Sequence, residues 1–219
     1  MKRLITVLVL ILCFAMLFTA CDKKSKNPTT EDGETYKYTF LPGDYLSGLH
    51  YVEMKVKGYG TMILEIDCDV APKTGTNFLR LVDAKFYDNL TFHRIIAGFM
   101  AQGGDASDIQ TREQLNRNVP GEFLLNGYDN TISHTRGTIS LARGDDYNSG
   151  NSQFFIVQED STYLDGQYAG FGHVIDGMDV VDAMCEDADP NAVNGMLATG
   201  DQPVISYAKL LGPVNPLEK

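Results

Sequence analysis

The chain has no tryptophan, only four cysteines and four histidines, and few cations, with 18 Lys and Arg set against 29 Asp and Glu in 219 residues. Each shortage excludes something. Without tryptophan, the large rings of a core must come from the 11 phenylalanines and 11 tyrosines. The histidines His50, His93, His134 and His173 show no metal-ligand spacing and read as structural, so neither a metal nor another cofactor is implied. Of the cysteines, Cys13 and Cys21 lie near the N-terminus. Cys68 and Cys185 remain, 117 positions apart, too few for a disulfide framework; they read as two unpaired, partly buried thiols, or as one bridge in an oxidising compartment. Setting aside Lys2 and Arg3 leaves 16 basic against 29 acidic side chains, a formal −13. A body so acidic repels phosphate backbones, which excludes nucleic acid as a partner. Asp145, Asp146, Asp187 and Asp189 read as solvated loop charges, with a weak calcium site as the alternative. Ser152 lacks the nucleophile-elbow pattern of a hydrolase.

What is present begins with an export signal: Lys2 and Arg3, the apolar run Leu4 to Ala20, then Cys21. The run is also nearly long enough to remain as an uncleaved anchor. Leu17-Phe18-Thr19-Ala20-Cys21 resembles a bacterial lipobox, which implies a lipid on Cys21 and attachment to a membrane of the bacterial cell envelope, on its periplasmic or extracellular face. Phe18 departs from the leucine usual there, and Asp22 resembles an inner-membrane retention signal. The polar, Lys-, Ser-, Asn- and Pro-bearing stretch that follows reads as a disordered tether. The expected organisation is a signal peptide at 1–20, the tether at 21–36, an ordered extension at 37–49, one domain at 50–212 and a tail at 213–219.

Within that domain the periodicity is mostly two. Strands are expected at 51–56 and 60–66, joined as a hairpin by Lys57-Gly58-Tyr59, then at 90–95, 100–103, 138–142, 153–158, 169–174 and 204–210. Pro72 opens a helix reaching about Ala84 with Phe78, Leu81 and Val82 on one face, and a second begins near Met178 with Asp176 as its cap. Many short strands, 21 glycines and two helices make an all-β barrel or sandwich.

The chemistry concentrates in residues 92–105, Phe-His-Arg-Ile-Ile-Ala-Gly-Phe-Met-Ala-Gln-Gly-Gly-Asp. A permanent cation, Arg94, precedes two large apolar side chains, Phe99 and Met100, and an amide, Gln102; alternation turns His93 to the opposite strand face. These groups suit rotation about an X-Pro bond, whose barrier of about 18–20 kcal/mol is lost amide resonance. Such a reaction needs no acid, base or nucleophile. It needs an apolar slot for the ring and a donor for the prolyl nitrogen, which becomes basic only as conjugation breaks, and a guanidinium supplies that donor at any working pH.

The segment resembles the first signature of the cyclophilin family of peptidyl-prolyl cis-trans isomerases. Gly137-Thr-Ile-Ser-Leu-Ala-Arg-Gly144 with Asn151-Ser-Gln-Phe-Phe-Ile156 is similar to the second, and Tyr163-Leu-Asp-Gly166 with Phe171-Gly172 to the third. The likeness runs from about His50 to Gly212 and implies an eight-stranded antiparallel barrel capped by two α-helices. It further implies Arg94 as the catalytic arginine, Gln102 as the amide that orients it, and Phe99, Met100, Phe155 and Leu164 as walls of a proline pocket. Ala142 and Arg143 fall where backbone groups hold the peptide as an added strand. Three positions depart from the best-known members: Ala97 for proline, Tyr163 for tryptophan and Tyr168 for histidine. Tyr168 keeps an aromatic wall with a polar tip. Tyr163 places its donor away from where an indole N–H meets cyclosporin, so the resemblance implies weak cyclosporin binding. The implied partners are proline-containing clients among exported proteins, with the enzyme acting as a monomer. A non-catalytic peptide-binding or scaffolding module is the alternative; a groove kept only for binding has no need of Arg94, whose benefit arises in the transition state.

Overall fold

The computed structural model describes residues 44–106 and 117–218. Eight antiparallel strands form one sheet: β1 (Leu49–Val56), β2 (Gly60–Asp67), β3 (Phe92–Ile96), β4 (Met100–Gly103), β5 (Thr138–Leu141), β6 (Phe154–Val157), β7 (Ala169–Asp176) and β8 (Ile205–Gly212). Their order is β3-β4-β6-β5-β7-β2-β1-β8. The sheet curls until its edges meet, where Thr91 bridges Val204 and the Ile205 amide donates to the Leu90 carbonyl at 2.8 Å. Helices α1 (Pro72–Asp83) and α2 (Met178–Asp187) complete the expected capped barrel.

Alternation decides what each strand buries. Met62, Leu64 and Ile66 of β2 point inward, and β1 sets Val52 opposite Leu64 and Met54 opposite Met62. In place of tryptophan, the core holds Phe78, Tyr87, Phe92, Phe154 and Phe171, with Phe78 centred 5.1 Å from Tyr87, 5.2 Å from Phe171 and 5.6 Å from Phe154. The buried Tyr87 hydroxyl donates to the Ser152 carbonyl at 3.0 Å, satisfying its polar end.

Among the described residues of the extension, Leu46 is buried and its amide donates to Thr76 Oγ1 at 2.8 Å. Two expectations are corrected. Asp176 does not cap α2. It ends β7, and Gly177 takes the N-cap position with φ 84°, a left-handed conformation that suits glycine. Cys68 and Cys185 are free and fully buried rather than partly so. Cys21, the signal and the tether lie outside the described residues.

Candidate functional site

Register places the predicted site residues on one face. Arg94 pairs with Gln102 and Gln102 with Phe155, while one residue along Ile95 pairs with Ala101 and Ala101 with Ile156. Because side chains alternate, Ile95, Ala101 and Ile156 enter the barrel core and Arg94, Gln102 and Phe155 stand outside it. A second apolar cluster forms on this outer face from Met100, Phe155, Val157 and Leu164, with Ile96, Phe99, Ala142 and Tyr168 against it. That arrangement is the origin of the pocket. It has a volume of about 220 Å³ and is lined by Arg94, Phe99, Met100, Gln102, Ala142, Arg143, Phe155, Leu164 and Tyr168. Nine of the ten predicted groove residues therefore meet at one place. Tyr163, the tenth, stands at the margin, exposed, its ring 6.0 Å from that of Phe99.

Arg94 is held at three points. Its Nε–H donates to the Asn194 carbonyl at 2.9 Å, Nη2 to Asn194 Oδ1 at 3.2 Å and Nη1 to Gln102 Oε1 at 3.2 Å. Gln102 is fixed in turn by donating from Nε2 to Gln153 Oε1 at 3.0 Å. Of five guanidinium N–H groups, three are thus occupied by described residues, and one on each terminal nitrogen remains to meet a ligand. Burial draws the Arg94 pKa below its ordinary value, with Tyr168 opposing, but a guanidinium still keeps its charge at working pH.

The apolar walls are locked from behind. Phe155 stacks on His134, ring centroids 6.0 Å apart and planes 18° apart. Burial lowers the His134 pKa and the Asp165 bond only partly offsets this, so the imidazole is neutral. Its Nδ1–H donates to Asp165 Oδ1 at 2.8 Å, and Nε2 accepts from Ser140 Oγ at 2.9 Å. Burial pushes the Asp165 carboxyl up, but hydrogen bonds from Ser133, the His134 amide and the imidazole outweigh it and hold the pKa below the usual carboxylate range. On the other wall, the Arg143 guanidinium lies 4.6 Å from the Tyr168 ring centroid, 4.9 Å from Tyr147 and 5.2 Å from Phe123. It also donates from Nε to the Gln167 carbonyl at 3.1 Å, pinning the turn before Tyr168. Phe99 rides on the β3–β4 turn, which Gln158 grips by accepting at Oε1 from the Gly98 amide at 2.7 Å and donating its backbone N–H to the Phe99 carbonyl at 2.8 Å.

At Ala142 the backbone offers one group rather than two. Its amide already donates to the Gln153 carbonyl at 2.9 Å, leaving its carbonyl as the group for an added strand. Sequence reasoning missed Asn194, Gln153 as a support of Gln102, and the Arg143 side chain as a brace. Gln153 lies within the second quoted motif and could have been inferred; Asn194 carried no local signal.

Residues 51–201 match the family described as cyclophilin type peptidyl-prolyl cis-trans isomerase/CLD, and the chain belongs to that family. It is 36% identical over 162 residues to a probable peptidyl-prolyl cis-trans isomerase of Brucella abortus, covering 69% of this chain and 78% of the relative. With peptidyl-prolyl cis-trans isomerase A of Dickeya dadantii it shares 40% identity over 132 residues, covering 58% of this chain and 67% of that protein. A solved Cryptosporidium parvum cyclophilin type peptidyl-prolyl cis-trans isomerase, crystallised in the presence of the dipeptide Ala-Pro, superposes with a TM-score of 0.59 at 27% identity, covering 73% of this chain and 98% of its own. The cyclophilin AquaCyp293 of Hirschia baltica superposes with a TM-score of 0.61 at 24% identity, covering 76% and 75%, a likeness of fold. The chain is accordingly an enzyme that isomerises peptidyl-prolyl bonds.

Proposed function

We propose that the outer-face pocket takes the proline ring of a client chain and that Arg94 donates to the prolyl nitrogen as the peptide bond twists. The observation that carries this reading is the three-point hold on Arg94 beside an apolar pocket. A guanidinium fixed before the substrate arrives needs no reorganisation when the nitrogen becomes basic, so its benefit falls on the transition state. Met100, Phe155 and Leu164 supply the apolar base, Phe99 and Tyr168 the sides, and the Ala142 carbonyl a backbone contact. Exchange NMR on a short X-Pro peptide tests the assignment. Arg94→Ala should lower kcat/KM by at least ~10²-fold, and Arg94→Lys should restore little, since an ammonium cannot replace the fork held by Asn194 and Gln102. An Arg94→Ala variant as fast as wild type would remove Arg94 from the mechanism.

The clients, on this reading, are exported proteins that fold beside a bacterial membrane, to which a lipid on Cys21 tethers the monomeric enzyme. The lipobox-like run before Cys21 motivates it. The chain should take up labelled fatty acid and Cys21→Ser should not; label persisting in that variant would exclude the site. Weak cyclosporin binding belongs to the same proposal, because Tyr163 is a phenol at the pocket margin. In an inhibitor titration, Tyr163→Trp should tighten inhibition while peptide turnover stays within a few-fold, and equally tight inhibition of both proteins would contradict that role.

A further inference from the structure

Ten large apolar side chains are exposed among the described residues. Four of them, Tyr45, Leu49, Val214 and Leu217, lie towards the ends of the described chain. The other six, Leu124, Leu125, Tyr147, Tyr163, Val193 and Met196, lie on segments that border the pocket. Scattered single apolar residues on a surface carry no message, but contiguous apolar patches mark interaction sites.

The six form two shoulders. On one side, Leu124 and Leu125, 64% and 57% exposed, sit on a 3-10 turn at Leu124–Asn126. This turn docks on the loop that carries Tyr163 and Leu164: the Leu125 amide donates to the Gly166 carbonyl at 2.9 Å, and a Cβ added to Gly166 would stand 3.2 Å from Leu124 Cβ. Tyr163, itself 64% exposed, joins this shoulder to the pocket through its contact with Phe99. Tyr147 lies along the same margin, against Arg143 and Phe123. On the other side, Val193 and Met196, 84% and 51% exposed, flank the turn whose Asn194 holds Arg94, and Met196 bridges Arg94 through the backbone. Two carboxylates in the chain segments of the first shoulder are engaged elsewhere. Glu122 is buried against the start of α1 and Asp165 is bonded to Ser133 and His134. Asp145 and Asp146 are exposed just before Tyr147, so that end of the shoulder carries negative charge and disfavours acidic segments.

We propose that the two shoulders extend the proline groove and select unfolded client segments that carry large apolar side chains within two or three residues of the proline. The proposal rests on the reading of the pocket as the proline site. A folded protein buries such side chains, so this surface takes chains that have not yet folded, and continuity with the pocket is what distinguishes it from a general sticky patch.

The test uses peptide pairs that differ only in having leucine or serine two positions before or after the proline. Both kcat/KM by exchange NMR and Kd by titration are read on the full chain. Wild type should favour the leucine peptides about tenfold, through KM and Kd rather than kcat, an effect equal to about 1.4 kcal/mol. Leu124→Ser with Leu125→Ser should erase most of that preference on one flank and Val193→Ser on the other, while serine peptides are handled as before. Equal treatment of both peptides by wild type, or variants that lose both equally, would overturn the proposal. So would a dimer of the wild-type chain that the same substitutions dissolve, which would give the shoulders to a second copy. If no peptide is turned over but the leucine preference in Kd holds, the shoulders stand and the catalytic reading of the pocket fails.

Discussion

Arg94, Phe99, Met100 and Gln102 lie within nine positions, and a period of two is enough to place Arg94 and Gln102 on one face, opposite Ile95. The residue that holds Arg94 most closely was not legible, because Asn194 is 100 positions away and nothing around it announces a contact. Its backbone is informative in the structure: Asn194 has φ 55°, a left-handed conformation that costs most residues energy and that asparagine tolerates best after glycine. With this backbone, both its carbonyl and its side-chain oxygen face the guanidinium. We expect Asn194→Ala to lower kcat more than it raises KM, by about tenfold in kcat/KM, the size of one lost charge-assisted hydrogen bond. Asn194→Asp, which keeps Oδ1, should retain more activity than alanine. Steady-state kinetics on the X-Pro peptide decides the matter; an effect confined to KM would mean that Asn194 shapes binding rather than the aim of Arg94.

Elements were more legible in their existence than in their ends. Pro72 correctly marked the first turn of α1, where a missing N–H costs nothing. What satisfies the remaining amides there could not be read from adjacent residues, since Ala71 at the N-cap has no side-chain oxygen to offer. The buried Glu122 does it from 49 and 48 positions away, with Oε1 accepting from the Lys73 amide at 3.0 Å and Oε2 from the Thr74 amide and Thr74 Oγ1, both at 2.8 Å. With no cationic partner among the described residues, the buried carboxylate is held by the helix N-terminus, which presents donors and a positive dipole end. Glu122→Ala should therefore destabilise the protein by about 2–3 kcal/mol, combining a lost cap with orphaned buried donors, whereas Glu122→Gln should keep part of the cap. Urea midpoints measure it, and a loss under about 0.5 kcal/mol would refute the role. The start of α2 shows the opposite error. Asp176 has the chemistry of a cap, yet the chain needs a left-handed residue between β7 and α2, and a Cβ at Gly177 would collide with the Thr61 carbonyl. Tertiary crowding, not capping chemistry, decides that boundary.

For the molecule as a whole, the balance of titrating groups predicts a pH dependence that composition alone would misjudge. An excess of acids suggests relief of repulsion, and hence greater stability, as pH falls. The interior argues the other way. His50, His93, His134 and His173 all have pKa values lowered from the ordinary 6.5, in each case chiefly by burial. A histidine held neutral in the native state binds its proton more readily when unfolded, so its contribution to stability is complete above 6.5 and is lost as pH falls through the folded-state value. Asp165, whose pKa is held below the carboxylate range, acts in the same direction at lower pH. At physiological salt, surface repulsion is screened beyond about 8 Å, while the buried histidines are not, so the histidines should win. Thermal unfolding in 0.15 M salt should give a Tm that is level from about pH 8 to 7 and falls steadily below about 6.5. His134→Gln, which lies between Asp165 and Ser140 and cannot protonate, should start less stable but decline less steeply. Peptide turnover should follow the folded fraction only, because Arg94 does not titrate in this range. A Tm that rises between pH 7 and 5 would show that surface charge outweighs the buried imidazoles, and a kcat/KM that changes while the protein stays folded would show that a group other than Arg94 titrates in the catalytic step.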